Sequence, residues 1–266
     1  LSLELYYFCF IPGLARLLPF YFLNSKKNIL KSTNSIIKNF PSFKIKIREL
    51  NYKSYLKLGF VTGIESLLLN FANRLDILML SNLSLEPLKA IGIFVGANKF
   101  FLMTIPIATT IATSVAGKLH EKNSDQYKLN TIYFFEKKFP KYIFLSILIS
   151  LSLLMASPLF EYLLGNEFEG VKEVSIALSL GYLPLSLSIW TNKQLKIFSS
   201  RQKSLEIFIL IPLIGLLVNF ILNYFFIHNL KLEALGAAIA TTISYLIKAI
   251  FYLLLLSKYK SKFIKN

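Results

Sequence analysis

The chain has 266 residues, 55% hydrophobic and 17% charged, against roughly 45–50% and about 25% in a soluble domain, which excludes an ordinary water-soluble globule. Thirty Lys and Arg stand against fourteen Asp and Glu, a formal net charge of +16, whose meaning depends on where it sits relative to the apolar runs. The single cysteine, Cys9, excludes an internal disulfide, and His120 and His228 form no metal-ligand spacing with it, so no metal or other cofactor is expected.

Apolar runs of membrane-spanning length recur at about 3–23, 55–80, 90–115, 142–164, 174–195, 205–227 and 234–256, which predicts an all-α, polytopic membrane bundle of about seven helices. The chain opens on Leu1 inside the first run, without a basic leader or cleavage site, so it is expected to be a piece of a longer protein rather than to begin with a signal peptide. That first run carries Arg16 between Pro12 and Pro19, too deep to reach water and expected to face protein. The connection after it is rich in lysine, and its Phe43-Lys-Ile-Lys-Ile-Arg48 alternation suits a segment on an anionic leaflet as well as it suits a solvated loop.

The second run is divided lengthwise. At 100° per residue, Glu65, Asp76, Thr62, Asn73, Ser66, Gly59, Asn70, Gly63 and Arg74 share one half, while Phe60, Val61, Ile64, Leu67, Leu68, Phe71, Ala72, Leu75, Leu78 and Met79 fill the other, which is expected to face lipid. An ionised group at mid-bilayer costs at least about 2.5–3.5 kcal/mol, so such residues face a bundle interior or a wet cavity. Arg74 and Asp76, near the outer end, also have the option of snorkelling, whereas Glu65 near mid-span does not. Gly59-x-x-x-Gly63 and, in the third run, Gly92-x-x-x-Gly96 are spacings for close helix packing. Lys99 lies near the middle of the third run, with Thr110 returning to its face. In the sixth run Gly215, Asn219 and Asn223 form a polar stripe expected to pack helices through hydrogen bonds. Lys248 in the seventh shares a face with Ala237, Thr241, Ser244 and Tyr245, leaving snorkelling and a cavity-facing role equally open. Pro106, Pro184 and Pro212 interrupt spans where a mobile bundle bends.

The charge then resolves. Counting connections alternately, 23 of the 30 basic residues fall on one side and three, Lys89, Lys172 and Lys231, on the other, which makes the crowded side cytoplasmic and places the C-terminus there. Charge distributed over separate connections, without a folded domain or an aromatic platform, argues against nucleic acid as a partner. The four basic residues left inside the spans are Arg16, Arg74, Lys99 and Lys248, against Glu65 and Asp76, and this cationic balance suits a phosphate-bearing substrate.

Several strings resemble a known family. Asn73-Arg-Leu-Asp-Ile-Leu-Met-Leu-Ser81 with Ser84-x-Glu86 and Gly92-x-Phe94-x-x-Ala97 is similar to the seventh helix and following hairpin of O-antigen and polysaccharide flippases. Gly165-Asn-Glu-Phe168 looks like that family's outward turn, and Gly215 to Ile227 with Leu235 to Tyr245 resembles its paired eleventh and twelfth helices. His228 stands where that family often has proline, and Phe94 where tyrosine is usual. The family is the lipid-linked oligosaccharide branch of the multidrug, oligosaccharidyl-lipid and polysaccharide exporter superfamily.

The resemblance implies the C-terminal half of a two-bundle transporter of the bacterial inner membrane. Residues 1–24 would be the last helix of a missing N-terminal bundle, 25–54 a basic cytoplasmic connection, 55–256 a six-helix bundle and 257–266 a cytoplasmic tail. Its substrate would be a polyprenyl-diphosphate-linked oligosaccharide. Its other partners would be membrane lipids, the missing half and polysaccharide assembly proteins. In that setting Arg16, Arg74, Lys99 and Lys248 attract the diphosphate, Glu65 and Asp76 orient sugar or respond to a coupling ion whose identity is open, and Asn70 and Asn73 line the cavity. No enzyme activity is expected. His120-x-x-x-x-Asp125 matches a short acyltransferase pattern but lies in a lysine-rich connection without a catalytic domain. A polysaccharide polymerase would be expected to have a large outward loop, whereas the outward connections here are short; a drug or cation antiporter of the same superfamily is a further reading, and it predicts an anionic rather than a cationic cavity.

Overall fold

The computed structural model of the chain describes residues 52–119, 137–199 and 207–265. The first apolar run, Arg16, the connection down to residue 51 and the His120/Asp125 pair lie outside them. The described residues are helical, without a strand among them. In chain order the helices are α1 (Tyr52–Leu83), α2 (Pro87–Leu102), α3 (Ile105–Leu119), α4 (Phe139–Leu164), α5 (Val171–Ser199), α6 (Ile207–Asn223) and α7 (Glu233–Lys265). The chain divides into two compact units, residues 1–71 and 72–266, and the bundle belongs to the second. Among the described residues, five stretches are long and apolar enough to cross a bilayer: Pro87–Thr113, Phe139–Leu164, Val171–Lys196, Ile207–Asn229 and Glu233–Lys258. The chain thus has the make-up of a multi-pass membrane protein.

Local chemistry sets where these helices start and stop. The predicted third span is two helices, because Pro106 brings no N–H and disfavours a helical conformation at Ile105, so helix restarts there with proline in its first turn. The Thr104 hydroxyl donates to the Phe101 carbonyl at 2.6 Å and caps the break. Pro158, Pro184 and Pro212, by contrast, lie inside continuous helices. α4 ends at Gly165, whose φ of 88° favours glycine, and a 3₁₀ turn at Asn166–Phe168 leads through Gly170, φ 98°, into α5. α6 runs on as a π-helix over Tyr224–Asn229, and Leu230 N–H closes it by donating to the Phe225 carbonyl at 3.1 Å.

The solvent preferences are those of a protein in lipid. α5 is the hub and packs against α2, α3, α4 and α7. Of its apolar window 67% is buried, against 22% for α4. α4 is inside out relative to a soluble helix. Phe144, Leu148, Leu151, Met155 and Leu159 are exposed, while Tyr142, Ser146, Ser150 and Ser157 are buried. In water that arrangement would be unstable; in hydrocarbon the apolar side faces lipid and small polar residues let helices approach. The Ser150 hydroxyl donates to the Ser179 carbonyl of α5 at 2.6 Å. On the other flank of α5, Gly181 meets Thr242 of α7 so closely that a methyl there would lie 2.7 Å from Oγ1, and that hydroxyl donates to the Ala177 carbonyl at 2.8 Å. The core of the second unit joins Leu80, Phe94, Phe101, Val174, Tyr182 and Ala237. Phe94, where the resembled family has tyrosine, is fully buried there and needs no hydroxyl partner.

Candidate functional site

The predicted lengthwise division of α1 is only partly the division the fold makes. Phe60 and Phe71 are exposed as expected, but Val61, Leu75 and Met79, placed on the lipid half, are buried, and Asn73, placed on the polar half, is exposed. A polar arc half a turn wide is broader than any one packing partner. Asp76 is turned into the bundle while Asn73, about 60° away on the wheel, stays at the surface.

Asp76 is 3% exposed and holds the most developed polar constellation of the second unit. Asn223 of α6 donates one amide hydrogen to its Oδ1 at 2.7 Å and the other to Asn219 Oδ1 at 2.6 Å. Thr241 of α7 donates to Asp76 Oδ2 at 2.9 Å and accepts from the Asn219 amide at 3.2 Å. The distant α1 is thus tied to the consecutive helices α6 and α7 through one carboxylate that accepts at both oxygens. Asn223 is fully buried and its own carbonyl oxygen has no hydrogen-bond partner. The polar stripe of the sixth run is therefore one arm of this joint. Thr241, noted from the sequence only as sharing a face with Lys248, is its third arm, and its role was not legible without the fold.

Lys248 neither snorkels nor lies open. It is 5% exposed, with its ammonium 4.4 Å from the centre of the Tyr245 ring. Tyr245 stacks in turn on Phe101 at 6.2 Å. Arg74 is half-buried and Lys99 exposed. Thr110 is exposed too, but it belongs to α3 while Lys99 belongs to α2, so the common face drawn for one uninterrupted helix does not exist. In the first unit, Glu65, Gly59 and Gly63 are buried, and Asn70 donates to the Ser66 carbonyl of its own helix at 2.9 Å. Gly92 and Gly96 open onto side chains: a methyl on Gly92 would lie 3.7 Å from the Phe168 ring and one on Gly96 3.1 Å from Leu164 Cδ1.

What the arrangement can do chemically is limited and definite. Among the described residues no three His, Cys, Asp or Glu gather as metal ligands. The joint around Asp76 offers a carboxylate, two amides and a hydroxyl, an oxygen-rich set that suits hard cations better than soft ones, yet both carboxylate oxygens are already engaged by protein donors.

The bundle resembles solved membrane proteins. The crystal structures of a MATE point mutant and of a MATE in complex with MaD3S each align with a TM-score of 0.59 at 20% identity, covering 77% of this chain. The fold is MATE-like. The chain spans 45% of the length of each of those MATE chains. MATE transporters belong to the multidrug, oligosaccharidyl-lipid and polysaccharide exporter superfamily that the sequence strings resemble. The likeness concerns the superfamily fold and does not single out its flippase branch. No protein-family model and no curated sequence matches the chain.

Proposed function

We propose that the chain is one bundle of an alternating-access transporter that moves a polyprenyl-diphosphate-linked oligosaccharide across the bacterial inner membrane. The physical task is to carry a sugar headgroup and two phosphates past hydrocarbon, where each unsatisfied polar group costs several kcal/mol. A wet, cationic cavity open to one side at a time meets that need, with the polyprenyl tail remaining in lipid. No bond is made or broken. The MATE-like fold supports two bundles rocking about such a cavity.

One observation carries the choice of an anionic substrate. Away from the helix ends of the second unit, where Glu161 and Glu173 lie, the accessible ionic groups include Arg74, half-buried, and Lys99, exposed, whereas Asp76 is sequestered in hydrogen bonds. Accessible guanidinium and ammonium groups suit a diphosphate. The MATE likeness fits a drug or cation antiporter equally well, and that second reading requires accessible carboxylates instead. The test is reconstitution of the whole protein with lipid-linked oligosaccharide in vesicles. R74Q and K99Q are expected to lower flipping by tenfold or more together; undiminished flipping, or efflux of a cationic dye that survives both substitutions, would sink the proposal.

A further inference from the structure

The joint of α1, α6 and α7 contains a carboxylate and dipoles, and dipoles alone leave its charge uncompensated in a low-dielectric interior. Among the described residues Lys248 is the one buried cation. It enters the same interior from the face of α7 that carries Thr241. Side chains on a helix lean toward its N-terminus. The ammonium accordingly sits over Tyr245, one turn back toward Thr241 and hence toward the carboxylate that Thr241 holds.

The stem that carries it there needs room on α6. A methyl group on Gly215 would come within 2.6 Å of Lys248 Cγ and 3.1 Å of Cε, and closer still to Cδ. Real side chains do not approach so closely, so the lysine occupies its place because residue 215 has no Cβ. Gly215 lies one turn before Asn219 and two before Asn223, so the stripe of the sixth run has two parts. Its amides bind the carboxylate, and its glycine makes the slot for the opposite charge.

We propose that Lys248 is the resident counter-cation of Asp76, seated through the Gly215 slot, so that the joint is neutral without a solute ion. Lys248 then belongs to the scaffold, and the phosphate-facing set in the described residues narrows to Arg74 and Lys99. The inference rests on the packing of three helices and stands whatever the transported solute is.

A double-substitution cycle on the purified whole protein tests it. K248M keeps the stem and removes the charge; D76N does the same for the carboxylate. Each single variant is expected to lose several degrees of melting temperature, and K248M/D76N to recover at least half of the summed loss. Folding of the double where a single variant does not fold counts as the same result. Additive losses, or failure of all three to fold, overturn the pairing. For the slot, G215A is expected to be destabilising in wild type and harmless in K248A, whose short side chain vacates the space; equal losses in both backgrounds overturn it. Exchange of sodium for choline at constant ionic strength is expected to leave the wild-type melting temperature unchanged. A sodium-dependent rise would mean that a solute ion, not Lys248, neutralises Asp76.

Discussion

Asn223→Leu is the most informative single perturbation of the joint. The asparagine is fully buried and spends both amide hydrogens, at 2.7 Å on Asp76 and at 2.6 Å on Asn219. Leucine keeps the heavy-atom branching of asparagine, with bulkier methyl ends in place of the amide, so the main loss is electrostatic. Two buried acceptors are orphaned at about 1–3 kcal/mol each, the carboxylate toward the upper end, for about 4 kcal/mol. Leucine's extra apolar burial and the removal of asparagine's own unpaired carbonyl oxygen together return about 2 kcal/mol, leaving a net loss of about 2 kcal/mol. For a domain of this size that corresponds to a fall of roughly 4–8 °C in melting temperature. The assay is thermal unfolding of the detergent-solubilised protein followed by loss of the monodisperse peak on size exclusion. Asn219→Leu is the internal comparison. It leaves both hydrogen bonds to Asp76 in place, so its loss should be clearly smaller. If Asn223→Leu melts within about 2 °C of wild type, the joint does not hold the three helices together and the reasoning from it fails.

Three further outcomes follow from other parts of the bundle. Gly181→Ala puts a methyl 2.7 Å from Thr242 Oγ1 and breaks that hydroxyl's bond to Ala177, so it should cost about 1–3 kcal/mol, and Thr242→Ala should suppress most of the loss in a melting experiment. Trp190, the one tryptophan of the chain, is fully buried and stacks on Tyr142 at 4.4 Å and Phe139 at 5.0 Å. Its emission should be blue-shifted and shielded from iodide, and Trp190→Ala should destabilise by about 3–5 kcal/mol. From the placement of basic residues the C-terminus is expected in the cytoplasm; a C-terminal green fluorescent protein fusion should fluoresce and an alkaline phosphatase fusion should be inactive, with the reverse pattern refuting the orientation.

The spanning helices are properties of the chain itself. Apolar runs of bilayer length specify spanning helices because every backbone group must be satisfied within the segment, and the runs at 142–164, 174–195, 205–227 and 234–256 correspond to α4, α5, α6 and α7. Pro106 announced a bend but not that the helix would stop and restart, because a proline either kinks a helix or opens a new one according to what its neighbours can cap, here Thr104. The polar stripe Asn219/Asn223 was legible from its spacing of four. Its partner was not, because Asp76 is 147 residues away and nothing local in α1 says which residues of a wide polar arc will meet α6.

The sequence by itself therefore determined the membrane setting, the spans of α4 to α7 and the set of charged residues that have to be accommodated among them, since these depend on local composition and on the cost of placing charge in hydrocarbon. Only the tertiary structure decided how those charges divide. Asp76 and Lys248 are turned into the bundle, where Asn223, Thr241 and the Gly215 slot receive them, while Arg74 and Lys99 remain accessible. That division depends on which helices lie side by side, and residues far apart along the chain meet only once the bundle has formed.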